Sequence, residues 1–165
     1  MLKFDEDEFK FIKPSIKPFE KVKINNNSQL DKYAINLNKN KYSYDPSVGR
    51  SNELKDVMVS LVQGSTILVG EAGVGKTALV EGIAYQIQKG IVPNFLKNKE
   101  IYKITSSDIV SGCGVVGDIE KRMKDILEDV IKRGNVILFF DEIHTAFGTG
   151  KGKDGTLDIA NILKP

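Results

Sequence analysis

The sequence predicts an α/β domain built on a mostly parallel sheet, and three observations predict it. Short apolar runs recur at TILV (Thr66–Val69), IYKIT (Ile101–Thr105) and VILFF (Val136–Phe140). Stretches of helical periodicity separate them, long enough for the crossovers that parallel neighbours require. The first run leads straight into GEAGVGKT (Gly70–Thr77), and strand, glycine loop and helix in succession are themselves an α/β arrangement.

Taken in order, residues 1–29 mix charged and aromatic residues with Pro14 and Pro18 and end in Asn25-Asn26-Asn27-Ser28. They read as a disordered leader or linker ahead of a domain spanning 30–165. From Asn52 the apolar positions Leu54, Val57, Met58, Leu61 and Val62 mark a helix that Gly64 stops. TILV follows as a buried strand. The next helix runs from Lys76 to about Lys89, with Leu79, Val80, Ile83, Ala84 and Ile87 on one face and Gly90 as its stop. IYKIT is the second strand. Asp118 is placed to cap a third helix whose stripe is Ile119, Met123, Ile126, Leu127, Val130 and Ile131, ending at Gly134. VILFF is continuous rather than alternating, the pattern of a strand covered on both faces.

Bulk properties exclude several classes. The 165 residues suffice for one core, and 41% hydrophobic with 28% charged residues is the composition of a soluble globular protein. A net charge of +2 argues for neither a nucleic-acid nor a membrane partner. No apolar run approaches the ~20 residues of a membrane span, and the acidic start MLKFDEDEFKFIK is unlike a secretory signal. The single cysteine, Cys113, forms no intramolecular disulfide framework and fits a reducing compartment, so the expected location is the cytoplasm. Cys113 and the lone His144 have no partner residues that would make them a nucleophile or a metal site.

The glycine loop satisfies G-x-x-x-x-G-K-[ST] through Gly70, Gly75, Lys76 and Thr77, with Glu71, Ala72, Gly73 and Val74 between and Ala78 opening the helix. Glycines let backbone N–H groups turn inward, and the following helix adds its positive N-terminus. Lys76 is placed to reach the β- and γ-phosphates of ATP, with the Thr77 hydroxyl on Mg²⁺. The plain alternative is a glycine turn that happens to contain Lys-Thr, and the strand and helix on either side argue against it. Asp141 and Glu142 close VILFF. There Asp141 would hold the Mg²⁺ shell, through water, and Glu142 would orient and deprotonate an attacking water. Their plain alternative is a helix cap with an acidic first turn. A kinase has no use for a base that activates water, so the pair points to hydrolysis.

With both motifs in hand, the chain resembles the AAA+ ATPases of the ClpA/ClpB/ClpC unfoldases and disaggregases, in the N-terminal part of their first nucleotide-binding domain. LDKYAINLN (30–38) resembles the opening of that domain, and DPSVGR (45–50) its Asp-Pro-Val-Ile-Gly-Arg, whose backbone lines the adenine pocket at positions matching Val48 and Gly49. GEAGVGKTALVEGIA (70–84), NVILFFDEIHT (135–145) and ANILKP (160–165) also match. The resemblance implies a P-loop NTPase fold, ATP hydrolysis with Mg²⁺, a hexameric ring of identical chains, a polypeptide substrate drawn through its pore, and a Clp peptidase as a further partner.

Departures accompany the match. Where the family has Gly-x-Lys-Tyr-Arg-Gly, this chain has Gly112-Cys113-Gly114-Val115-Val116-Gly117, with Val115 in place of the gripping tyrosine. The segment 148–155 resembles a second pore loop, or a glycine-lysine surface loop. The family sheet has five parallel strands ordered 5-1-4-3-2, and this sequence reaches Pro165 having supplied three. The expectation is therefore a parallel sheet truncated before strands 4 and 5, without the sensor residue, arginine finger or small helical subdomain. The expected function is the ATP-binding and ATP-hydrolysing module of a Clp-type unfoldase. The alternatives are a truncated nucleotide-binding module or a fragment with no turnover, and, more distantly, a nucleotide transferase.

Overall fold

The computed structural model describes residues 28–142. Of the leader read at 1–29, residues 1–27 lie outside these residues, as do the readings of His144, of 148–155 and of 160–165, while Ser28 and Gln29 are the cap and first residue of a short helix. The described residues form two compact units, one of 37–100 and one of 28–36 with 101–142.

The first unit is helical. After a short 3-10 turn (Leu37–Lys39) come α1 (Ser51–Gln63), α2 (Lys76–Lys89) and a second 3-10 turn (Asn94–Leu96). The predicted stops hold: Gly64 and Gly90 are the C-terminal caps. Leu54 and Met58 of α1 pack with Leu79, Val80, Ile83, Ala84 and Ile87 of α2 in the buried core, joined by Leu37, Val92 and Leu96. The middle of α2 contains Gly82, where a Cβ would overlap the Ser47 hydroxyl, so the chain ahead of α1 closes directly on the helix backbone.

TILV is the main correction. Residues 65–70 have no regular secondary structure, and Ile67 and Val69 are 83% and 92% exposed. Strand propensity describes fit to a pleated, half-buried surface, not a backbone preference. No described strand pairs with this run, so Ile67 and Val69 have no cover and the backbone no ladder, while Thr66 and Leu68 remain half-buried.

The second unit holds the sheet. Helix α3 (Gln29–Tyr33) leads into β1 (Ile35–Asn36); then follow β2 (Glu100–Thr105), α4 (Ser106–Val110), α5 (Val116–Arg133) and β3 (Val136–Asp141). The strand order is β1-β2-β3. β1 runs antiparallel to β2, with Ile35 opposite Lys103 and Asn36 opposite Tyr102. The sheet is thus mixed, and the α/β class stands with one short antiparallel strand that alternation could not reveal. Leu30, Ala34, Tyr102, Ile104, Ile109, Ile119, Met123 and Ile126 form the core. β3 is half-buried along its whole length rather than covered on both faces, since only β2 flanks it among the described strands.

Side-chain chemistry explains the elements that periodicity missed. Ser28 caps α3 by accepting the Asp31 N–H at 3.3 Å, and donates to Asp129 of α5 at 2.9 Å. Arg133 pairs with Asp31 and donates to the Tyr102 hydroxyl at 2.7 Å, so the cap and first turn of the short helix are tied to α5 and to the sheet. Thr105 and Asp108 form a reciprocal capping box that starts α4. Asp118 is not the cap of α5. The helix begins earlier, with Val115 as its cap residue, and the Asp118 carboxylate in the first turn accepts the Gly114 N–H at 3.3 Å. Free N–H groups and the helix dipole favour a carboxylate there as well as at the cap. Gly134 ends α5 as predicted. Among the described residues no helix is long and apolar enough to cross a membrane.

Candidate functional site

The glycine loop is built within the first unit. Gly75 is the N-terminal cap of α2 at φ 84°, a left-handed conformation that a residue with a Cβ rarely adopts. Its carbonyl accepts the first helical bond, from the Leu79 N–H at 3.0 Å. Lys76 folds back across the loop and donates to the carbonyls of Gly70 at 2.9 Å and Glu71 at 2.8 Å. Arg50 approaches from the other side, donating from Nη1 to the carbonyls of Val74 at 2.9 Å and Gly75 at 3.0 Å. Gly70, Glu71, Ala72, Gly73 and Val74 are exposed, while Lys76, Thr77 and Ala78 are half-buried in the first turn of α2.

The segment carrying Val48 and Gly49 is fastened to the same helix. Asp45 accepts the Ser47 N–H at 2.8 Å and the Ser47 hydroxyl at 2.6 Å on one oxygen, and Gln86 of α2 at 2.9 Å on the other. Gly49 takes φ 80° and Val48 is exposed, its side chain open to solvent rather than buried. Beside them a cleft of about 350 Å³ is lined by Lys41–Tyr44, Pro46, Ala78 and Glu81. Burial raises the Tyr42 hydroxyl pKa above its ordinary value; the Asn40 side chain lowers it and the Glu81 charge raises it further.

Asp141 and Glu142 belong to the second unit. Asp141 ends β3, and its carboxylate pairs with Lys103 of β2 at 2.8 Å. Glu142 follows at φ 55°, the only non-glycine residue with a positive φ among those described. Such conformations cost of order 1–3 kcal/mol and persist where the surroundings hold them. In the same unit Val115 is exposed ahead of α5. The stretch before it is braced by Arg122, which donates to the carbonyls of Ile109 at 2.7 Å and Ser111 at 2.6 Å and stacks on Tyr33 at 4.1 Å.

Two site residues escaped the sequence reading. Arg50 follows Gly49 directly, and an arginine between the DPSVG segment and a helix start was the available signal. Lys103 was visible as a charge inside the apolar run IYKIT, but only strand pairing reveals that it meets Asp141.

The loop suits a nucleotide's phosphates: it has a Cβ-free residue at its left-handed turn, a lysine spanning it and a helix N-terminus beneath it. Thr77 in the first unit and Asp141 in the second each carry an oxygen of the type Mg²⁺ prefers.

The chain is similar to known proteins over most of its length. The chain is 47% identical over 146 residues to the chaperone protein ClpB of Bacteroides thetaiotaomicron, covering 85% of this chain and 17% of that protein. It is 41% identical over 141 residues to the Clp protease ATP-binding subunit ClpE of Lactococcus lactis, covering 82% of this chain and 19% of that one. The chain thus spans about a fifth of the length of these curated relatives. The yeast Hsp104–casein complex in its extended conformation superposes with a TM-score of 0.68 at 32% identity, covering 81% of this chain and 24% of Hsp104. A family model of the ATPases associated with various cellular activities matches residues 66–165. The chain belongs to this AAA family.

Proposed function

We propose that this chain is the ATP-binding and ATP-hydrolysing module of a Clp-type protein unfoldase. The observation that carries the reading is the loop Gly70–Thr77, held in shape on the N-terminus of α2 by Lys76 and Arg50. Its backbone N–H groups would cradle ATP phosphates, with Glu71, Ala72, Gly73, Val74 and Ala78 contributing main-chain contacts. Lys76 would exchange the Gly70 and Glu71 carbonyls for phosphate oxygens, a trade that strengthens its bonds because the new acceptors are charged. Val48 and Gly49 would line the base. Thr77 and, through water, Asp141 would hold Mg²⁺, whose chemistry is to neutralise developing phosphate charge. Glu142 would take the proton of the attacking water.

The ring, the substrate and the peptidase are proposed by kinship alone. The relatives include Clp chaperones and Clp protease subunits, and Hsp104 is seen with casein. By extension this chain would act in a ring of identical chains on polypeptides, in the cytoplasm, with a Clp peptidase as a further partner. Val115 would then touch substrate with an aliphatic side chain in place of an aromatic one, which offers less contact area and no planar face.

The test is ATP turnover by the chain against Glu142→Gln. Loss of turnover with ATP binding retained supports hydrolysis at this site. Binding with no turnover in either form supports the alternative of a nucleotide-holding module.

A further inference from the structure

Arg50 does something that neither motif describes. A trans peptide points its C=O and the following N–H in opposite directions. Holding the Val74 carbonyl therefore sets the direction of the Gly75 N–H, and holding the Gly75 carbonyl sets that of the Lys76 N–H. One nitrogen of Arg50 makes both bonds, at 2.9 and 3.0 Å. The Gly75 carbonyl also accepts the Leu79 N–H, so both of its lone pairs are used and the peptide cannot rotate without losing two bonds.

We propose that Arg50 is a positioning residue for the phosphate loop, holding the Gly75 and Lys76 amides toward the phosphate side from behind. The proposal rests on reading Gly70–Thr77 as a phosphate loop. The mount of the guanidinium is itself fixed. The Arg50 N–H donates to the Ser47 carbonyl at 3.0 Å, and the Arg50 carbonyl accepts the Leu54 N–H at 3.0 Å at the start of α1. Its Nε donates to Glu53 at 3.3 Å, so a second edge of the planar fork is anchored while Nη1 reaches the loop. The space is closed as well: a Cβ on Gly75 would stand 3.0 Å from Nη1, so glycine there serves the arginine as well as the turn.

The two cations of the loop then divide the work. Lys76 holds the Gly70 and Glu71 carbonyls until phosphate offers it better acceptors. Arg50 bonds the carbonyl side and has no reason to leave, so it is the side-chain brace that persists in the loaded loop. It also adds a positive charge behind the phosphates.

The experiment uses the full chain with Arg50→Met, Arg50→Lys and Glu53→Gln. The readouts are the ¹⁵N–¹H shifts and order parameters of the Gly75 and Lys76 amides without nucleotide, and ATP affinity with Mg²⁺ by calorimetry. Arg50→Met is expected to move and loosen both amides and to weaken ATP by about ten-fold or more. Arg50→Lys restores part of this, because one ammonium lacks the anchored fork; it also guards against misfolding of the methionine variant. Glu53→Gln, which spares the carbonyl bonds, changes affinity by no more than about two-fold. Unchanged amides with unchanged affinity in Arg50→Met overturn the proposal. A wild-type chain that binds no ATP overturns the phosphate-loop reading itself. The amide readout, which needs no nucleotide, separates that failure from a failure of Arg50.

Discussion

Replacing Gly82 with alanine sets two known effects against each other. In a helix interior, alanine is favoured over glycine by about 0.5–1 kcal/mol. At Gly82 the new methyl would occupy the place of the buried Ser47 hydroxyl and lie 3.3 Å from Leu54 Cδ1. Overpacking of this kind costs about 1–3 kcal/mol. Ser47 cannot retreat without giving up its 2.6 Å bond to Asp45, the carboxylate that also receives Gln86. The clash outweighs the propensity, for a net loss of about 1–2 kcal/mol, or about 2–8 °C in Tm for a chain of this size. Thermal melts followed by circular dichroism measure it. The companion variant Ser47→Gly removes the obstructing atoms, and in that background Gly82→Ala should become neutral or stabilising by up to about 1 kcal/mol. ATP affinity should fall in the single Gly82→Ala variant, because Val48 and Gly49 follow Ser47. A Gly82→Ala chain that melts higher than the parent refutes the reasoning.

Two further predictions concern other parts of the fold. Arg122→Met should destabilise the second unit by about 2 kcal/mol and speed amide exchange at 112–115, since charge-assisted bonds to the Ile109 and Ser111 carbonyls are lost. Arg122→Lys should recover less than half, and full recovery would show that charge alone suffices. Tyr42, whose pKa is raised mainly by burial, holds its proton more tightly folded than unfolded. Its contribution to stability is thus complete below pH 10 and is lost as pH climbs through the folded value. In a 295 nm titration Tyr42→Phe should remove a phase with a midpoint above 10, and loss of a phase at or below 10 would contradict the assignment.

Much of this was legible in the sequence, and the exceptions have physical causes. Helices α1, α2 and α5 announce themselves because one face carries a periodic apolar stripe and a glycine ends each, although Ile131, read into the α5 stripe, is 78% exposed. The loop is legible because its glycines and lysine are each needed at fixed spacing. TILV misled because Thr66, Ile67 and Val69 favour strands while a strand exists only with a neighbour. Helix α3 was hidden because its anchors, Asp129 and Arg133, lie about 100 residues away. Arg50 was read as part of a segment rather than as a side chain with a target, and its target is backbone, which leaves no residue-type signal.

ATP turnover by the chain and by Glu142→Gln, with calorimetric ATP binding measured on both, tests the central claim most directly. The account predicts that both bind ATP and that only the parent hydrolyses it. Equal hydrolysis by the two, or no ATP binding by either, would contradict it.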